Sequence, residues 1–81
     1  MKNSIHKRSV TLDRHRTSVS LEAPFWDALK HIADERSMSL NALIELIDHE
    51  RVDIHMNLSA ALRIYVLHYY QRKVREIVDY T

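Results

Sequence analysis

Eighty-one residues with a net charge of +1, no cysteine, no glycine and a single proline make one small domain, which hides only about 60% of the surface its unfolded chain exposes. Without cysteine there is no disulfide framework or thiolate metal site, which fits a reducing cytosol, and without glycine there is no phosphate-cradling loop of the P-loop or dinucleotide type. The N-terminus is polar and basic with no apolar stretch behind it, and no apolar run approaches the ~18 residues of a membrane span, so a cytoplasmic protein with neither signal peptide nor membrane segment is expected.

Charge is unevenly spread. Residues 1–16 hold five Lys and Arg against one acidic residue, a balance of +4, whereas residues 17–81 hold seven against ten, or −3. Positive charge gathered at the start of a chain suits an anionic partner, although short basic termini are also commonly just solubilising. Residues 1–15 are read as a basic N-terminal arm and 16–81 as the folded domain. Within the arm, residues 1–9 carry too few apolar groups to offset the entropy of ordering them. Val10-Thr11-Leu12 has two readings, a short extra strand turning at Asp13-Arg14-His15 or a continuation of the arm. The lack of Gly or Asn at that turn counts against a tight hairpin.

Arg16 to Glu22 alternates strictly, with Thr17, Val19 and Leu21 on one face and Arg16, Ser18, Ser20 and Glu22 on the other. That pattern, with β-branched Thr and Val, predicts a half-buried strand. No later stretch matches it, so its expected partner is the same strand of a second copy, paired antiparallel about a two-fold axis. A homodimer would also enlarge a marginal core.

Pro24 suits the first turn of a helix, and Phe25, Leu29, Ile32 and Ala33 form its apolar stripe with Trp26 at the margin. This helix is expected to end near Arg36-Ser37, where Ser37 takes the left-handed conformation usually given to glycine. Ser39 then caps a second helix, carrying Leu40, Leu43, Ile44 and Ile47 and running to about Glu50. A polar segment, Arg51 to Met56, leads to a third helix capped by Asn57 or Ser59. Its stripe is Leu58, Ala61, Leu62, Tyr65, Val66 and Tyr69, and it continues to around Val78. Tyr65 and Tyr69 are assigned to packing rather than to base stacking, and Arg72-Lys73-Val74-Arg75 to a solvated helix end.

A two-stranded ribbon fits a DNA major groove about 12 Å wide, and each strand offers alternate side chains to the bases. Here those are Arg16, which can pair bidentately with guanine, and the hydroxyls of Ser18 and Ser20. The N-terminus of the second helix, at Ser39 and Asn41, presents free N–H groups to phosphate, although ordinary capping explains those residues equally well.

Taken together, Lys7-Arg8-Ser9-Val10, His15 to Glu22, Phe25-Trp26-Asp27-Ala28-Leu29, Ser39-Leu40-Asn41-Ala42-Leu43-Ile44 and Asn57 to Arg63 resemble the ribbon-helix-helix DNA-binding proteins, in particular a subgroup of short bacterial ones. The resemblance covers roughly residues 7–70. It implies an intertwined homodimer built on an intermolecular antiparallel ribbon, so the expected fold is mostly α-helical with one N-terminal strand, and the third helix is an additional C-terminal element that exceeds the minimal fold of the family. It also implies base contacts by Arg16, Ser18 and Ser20 and phosphate anchoring by Ser39 and Asn41. Lys7, Arg8 and Arg14 of the basic arm are the further phosphate contacts expected. Glu22 departs from the pattern, since it would bring negative charge to phosphate unless it turns into the helix cap.

Neither a metal nor another cofactor is expected. His49-Glu50 and His55 lack the four-residue spacing of a zinc-binding helix, and His31 and His68 read as partly exposed helix residues. No catalytic triad can be assembled, so enzymatic activity is not expected. The reading is a homodimeric repressor or autoregulator that binds double-stranded DNA, with assembly beyond the dimer left open. The rival is an antitoxin-like module that binds a partner protein through exposed third-helix residues such as Ile64, Leu67 and Tyr70.

Overall fold

The computed structural model describes residues 4–51 and 56–79. Strands β1 (Ile5–Leu12) and β2 (His15–Glu22) are followed by helices α1 (Ala23–Glu35), α2 (Leu40–His49) and α3 (Leu58–Asp79). A ribbon, two helices and a third C-terminal helix is the architecture expected, and the one adopted. The difference lies in the ribbon: β1 pairs antiparallel with β2 inside one chain, from Leu12↔His15 at the tip to Ile5↔Glu22 at the base. The expectation of one strand is therefore corrected to two, and β1 takes in much of the stretch read as a flexible arm.

The signal for β1 lies in its own alternation. His6, Arg8, Val10 and Leu12 share a face with Thr17, Val19 and Leu21, while Lys7, Ser9 and Thr11 share the opposite face with Arg16, Ser18 and Ser20. Only Val10 of β1 is fully buried, so the hydrophobic signal is weak. The connection is a two-residue turn in which Asp13 (φ 50°) and Arg14 (φ 70°) are both left-handed. Asn-Gly or Asp-Gly ordinarily fills such a turn. Asp13 tolerates the conformation, and α2 holds it there: its N–H donates to Glu45 Oε2 at 2.9 Å, and its Oδ1 lies 2.8 Å from His49 Nε2.

The core lies between the inner sheet face and the three helices. Val10, Val19 and Leu21 pack with Trp26, Leu29, Ile32 and Ala33 of α1, Leu43, Ile44 and Ile47 of α2, and Ala61, Leu62 and Val66 of α3. Trp26 is central rather than marginal, because its indole N–H donates to the His6 carbonyl at 2.9 Å and Phe25 is left half-buried. With its one polar atom paired, the large ring can be buried without penalty.

Helix ends follow local chemistry. Ser37 is left-handed (φ 57°), its N–H donates to the Asp34 carbonyl and that of Met38 to Ala33, which closes the α1 C-terminus without glycine. Ser39 Oγ accepts from Ala42 N–H at 3.0 Å and Asn57 Oδ1 from Ala60 N–H at 2.7 Å, so Asn57 is the α3 cap. Across the α1–α3 contact, Glu35 accepts from Tyr69 Oη and from Lys73 Nζ at 2.7 Å, and Arg36 donates to Tyr65 Oη at 2.6 Å. Lys73 is thus a tether to α1 rather than part of a solvated helix end. Ser59, the other candidate cap, instead donates to the Ser20 carbonyl at 2.9 Å.

Candidate nucleic-acid interface

The outer sheet face is polar and exposed across its middle. Lys7 lies opposite Ser20, Ser9 opposite Ser18 and Thr11 opposite Arg16. Arg16, Ser18 and Ser20, expected as a reading face, do lie together there with Lys7. Ser9 and Thr11 complete the face and were not among the expected contacts, Ser9 because residues 1–9 are read as arm and Thr11 because Val10-Thr11-Leu12 has two readings. Their signal was the alternation of Lys7, Ser9 and Thr11 with Arg8, Val10 and Leu12. Arg14 stands exposed at the tip of the turn.

Arg8 is not on this face. It points to the inner side, where its guanidinium lies 5.3 Å from the centre of the Trp26 ring, a cation–π contact. Glu22 closes the base of the outer face, and its carboxylate is engaged by Arg63 of α3, with Nε–Oε1 at 3.0 Å and Nη2–Oε2 at 3.4 Å. The Arg63 hydrogen bonds hold the Glu22 carboxyl below its ordinary pKa. Glu22 therefore makes no side-chain cap on α1, and its charge is neutralised from α3 instead.

The α2 side chains expected at phosphate have internal partners. Ser39 caps the helix, and the Asn41 amide makes two bonds to one β1 residue, accepting from Thr11 N–H and donating to the Thr11 carbonyl, each at 2.8 Å. Asn41, Glu45 and His49 recur every four residues along α2, and all three hold the end of the hairpin. What the helix start still directs outward is backbone, the N–H groups of its first turn, set beside Thr11 at the sheet edge.

The two sheet edges differ. Ala23 N–H donates to the Ser4 carbonyl at 3.0 Å, which fixes the alternation of bonded pairs, so Arg16, Ser18 and Ser20 turn their backbone groups away from β1. Of these, the Ser20 carbonyl is taken by Ser59, and among the described residues nothing covers the edge at Arg16 and Ser18. On β1, Asn41 covers the corresponding edge at Thr11.

Asp13, Glu45 and His49 also form the metal-capable cluster found among the described residues, with donor atoms all within 4.8 Å of one another. Their mutual hydrogen bonds account for the arrangement without an ion. Asp13, through its hydrogen bond and its charge, raises the His49 pKa. His55 and Tyr80 lie outside the described residues. No helix among the described residues is long and apolar enough to cross a membrane.

The family description "Ribbon-helix-helix domain" matches residues 5–70, from the first residue of β1 into the middle of α3. The chain belongs to the ribbon-helix-helix family. Domains of this family generally bind DNA and regulate transcription, typically as dimers, and the fold is a non-enzymatic one. Among solved structures, the chain is similar to an uncharacterized protein from Bordetella pertussis Tohama I, at 33% identity and a TM-score of 0.81 over 93% of this chain. The match spans 62% of that protein's length. None of the curated proteins compared matches this chain.

Proposed function

We propose that this ribbon-helix-helix protein is a sequence-specific, cytoplasmic bacterial repressor or autoregulator that binds double-stranded DNA as a homodimer. The observation that carries the reading is the outer sheet face. It sets Arg16, Ser18 and Ser20 in one row and Lys7 in the adjoining one, with the nearby carboxylate of Glu22 neutralised by Arg63. In the homodimer, the open β2 edge at Arg16 and Ser18 pairs with its copy, and this central pair of strands enters the major groove. Arg16 supplies bidentate contacts to guanine, each worth roughly 1–3 kcal/mol of discrimination, and the serine hydroxyls donate or accept. Lys7 on the flanking strand and Arg14 at the tip meet phosphates, and so do the backbone N–H groups at the start of α2 around Ser39 and Asn41.

The test is selection from genomic DNA fragments with competitor present, at two salt concentrations. Wild type is compared with an Arg16→Ala, Ser18→Ala, Ser20→Ala triple variant whose fold is checked by circular dichroism. Wild type is expected to retain a selected fragment that the variant releases. Equal, weak binding by both that falls steeply with salt would mean phosphate attraction alone and would sink the reading.

A further inference from the structure

The geometry points to a second copy of this chain as the occupant of the exposed apolar seam on α3, the two helices forming a parallel, in-register coiled coil. This deepens the homodimer of the preceding reading and names a surface outside the ribbon. Among the described residues, Ile64, Leu67, Val74, Ile77 and Val78 of α3 are 39–67% exposed. They expose on the order of 500 Å² of apolar surface, at the upper end of what a lone soluble domain leaves to water. Two such faces, with the flanking Ile77 included, approach the ~1,000 Å² expected of a specific dimer contact.

Spacing and residue type select the partner. Ile64, Gln71 and Val78 recur every seven residues, with Leu67 and Val74 between them, which is the a/d pattern of a left-handed coiled coil. β-branched residues at a with leucine at d favour two parallel strands, and Ile64, Val78 and Leu67 fit that preference. Gln71 is the polar interruption. Against an apolar partner its amide would be buried unpaired. Against Gln71 of an in-register copy, donor meets acceptor in both directions, which sets register as a single polar a residue does in parallel dimers. The opposite side of α3 is already used, through Ala61, Leu62 and Val66 in the core and Tyr69 and Lys73 on Glu35, so the seam is the face left over. From Val74 to Val78 the side chains are exposed, so this stretch of the helix adds nothing to the core of its own chain.

The full chain contains no cysteine, so single Ile64→Cys and Val74→Cys variants give a clean cross-linking readout. Each is expected to form a disulfide-linked dimer with itself on mild oxidation. An antiparallel pair would set these positions about 15 Å apart along the helix and link them only when the two variants are mixed, which would overturn the parallel arrangement. Sedimentation of Leu67→Glu/Val74→Glu protein, with folding checked by circular dichroism and Trp26 fluorescence, is expected to show weakened self-association. No cross-link in any combination would show that the seam serves another protein or none, and would sink the proposal. The two readings fail separately: a cross-linked dimer that selects no DNA removes only the DNA reading, and selective DNA binding without a seam cross-link removes only the coiled coil.

Discussion

The Asn41 side-chain amide closes both backbone groups of Thr11, accepting from its N–H and donating to its carbonyl at 2.8 Å each. A residue placed by local pattern at a helix start thereby acts as a stand-in for one more strand residue, shielding the outer edge of β1 where it meets the turn. Asn41→Ala removes both bonds and is expected to cost about 1–2 kcal/mol. Asn41→Asp keeps the acceptor but sets a carboxylate oxygen against the Thr11 carbonyl, so it does not restore stability. Urea midpoints and faster amide exchange at Thr11 would check this, and unchanged exchange at Thr11 would refute it.

The Asp13–His49 contact predicts a pH dependence of definite sign. Asp13 raises the folded-state pKa of His49 above its ordinary value of 6.5. Its contribution to stability is therefore fully present below that value and is lost as pH rises through the folded pKa. The difference in urea midpoint between wild type and His49→Gln should be largest at mildly acidic pH and should shrink as the solution becomes alkaline. A difference that grew with pH would contradict the assignment.

Lys7 and Arg8 are neighbours on opposite faces, and their substitutions should separate. Lys7→Ala is expected to leave stability nearly unchanged and to lower the salt dependence of DNA binding by about one unit of slope per protomer. Arg8→Ala removes the contact over Trp26, costs about 0.5–1 kcal/mol of stability, and leaves the salt slope nearly intact. Salt titrations and denaturation of the two variants would exchange outcomes if Arg8 were the phosphate contact.

Ser37 holds a left-handed conformation that a side chain disfavours by about 1–2 kcal/mol. Ser37→Gly relieves it and loses part of the gain to a freer unfolded chain. The expected net gain is about 0.5–1 kcal/mol, read as a higher thermal midpoint. A fall in midpoint would mean that the Ser37 side chain contributes something its backbone position does not show.

By itself the sequence determined what neighbouring residues encode. The period-two run at Arg16–Glu22, the apolar stripes of three helices, the left-handed Ser37 and the Ser39 cap all appear where local pattern placed them, and Arg16, Ser18 and Ser20 share one exposed face because a strand alternates. The tertiary structure decided the contacts between residues far apart in the chain. Asp13 and Arg14 turn without glycine because α2 residues 32 and 36 positions away hold Asp13, and that turn brings β1 onto β2. Asn41 is drawn to Thr11, Glu22 to Arg63 and the Trp26 N–H to the His6 carbonyl, at separations of 30, 41 and 20 residues. In each case a polar group that local pattern left available for DNA, a cap or the margin of a stripe found a closer partner once the core had formed. Periodicity reports which side of an element turns inward, whereas a hydrogen bond between distant residues exists only when packing has brought donor and acceptor within about 3 Å.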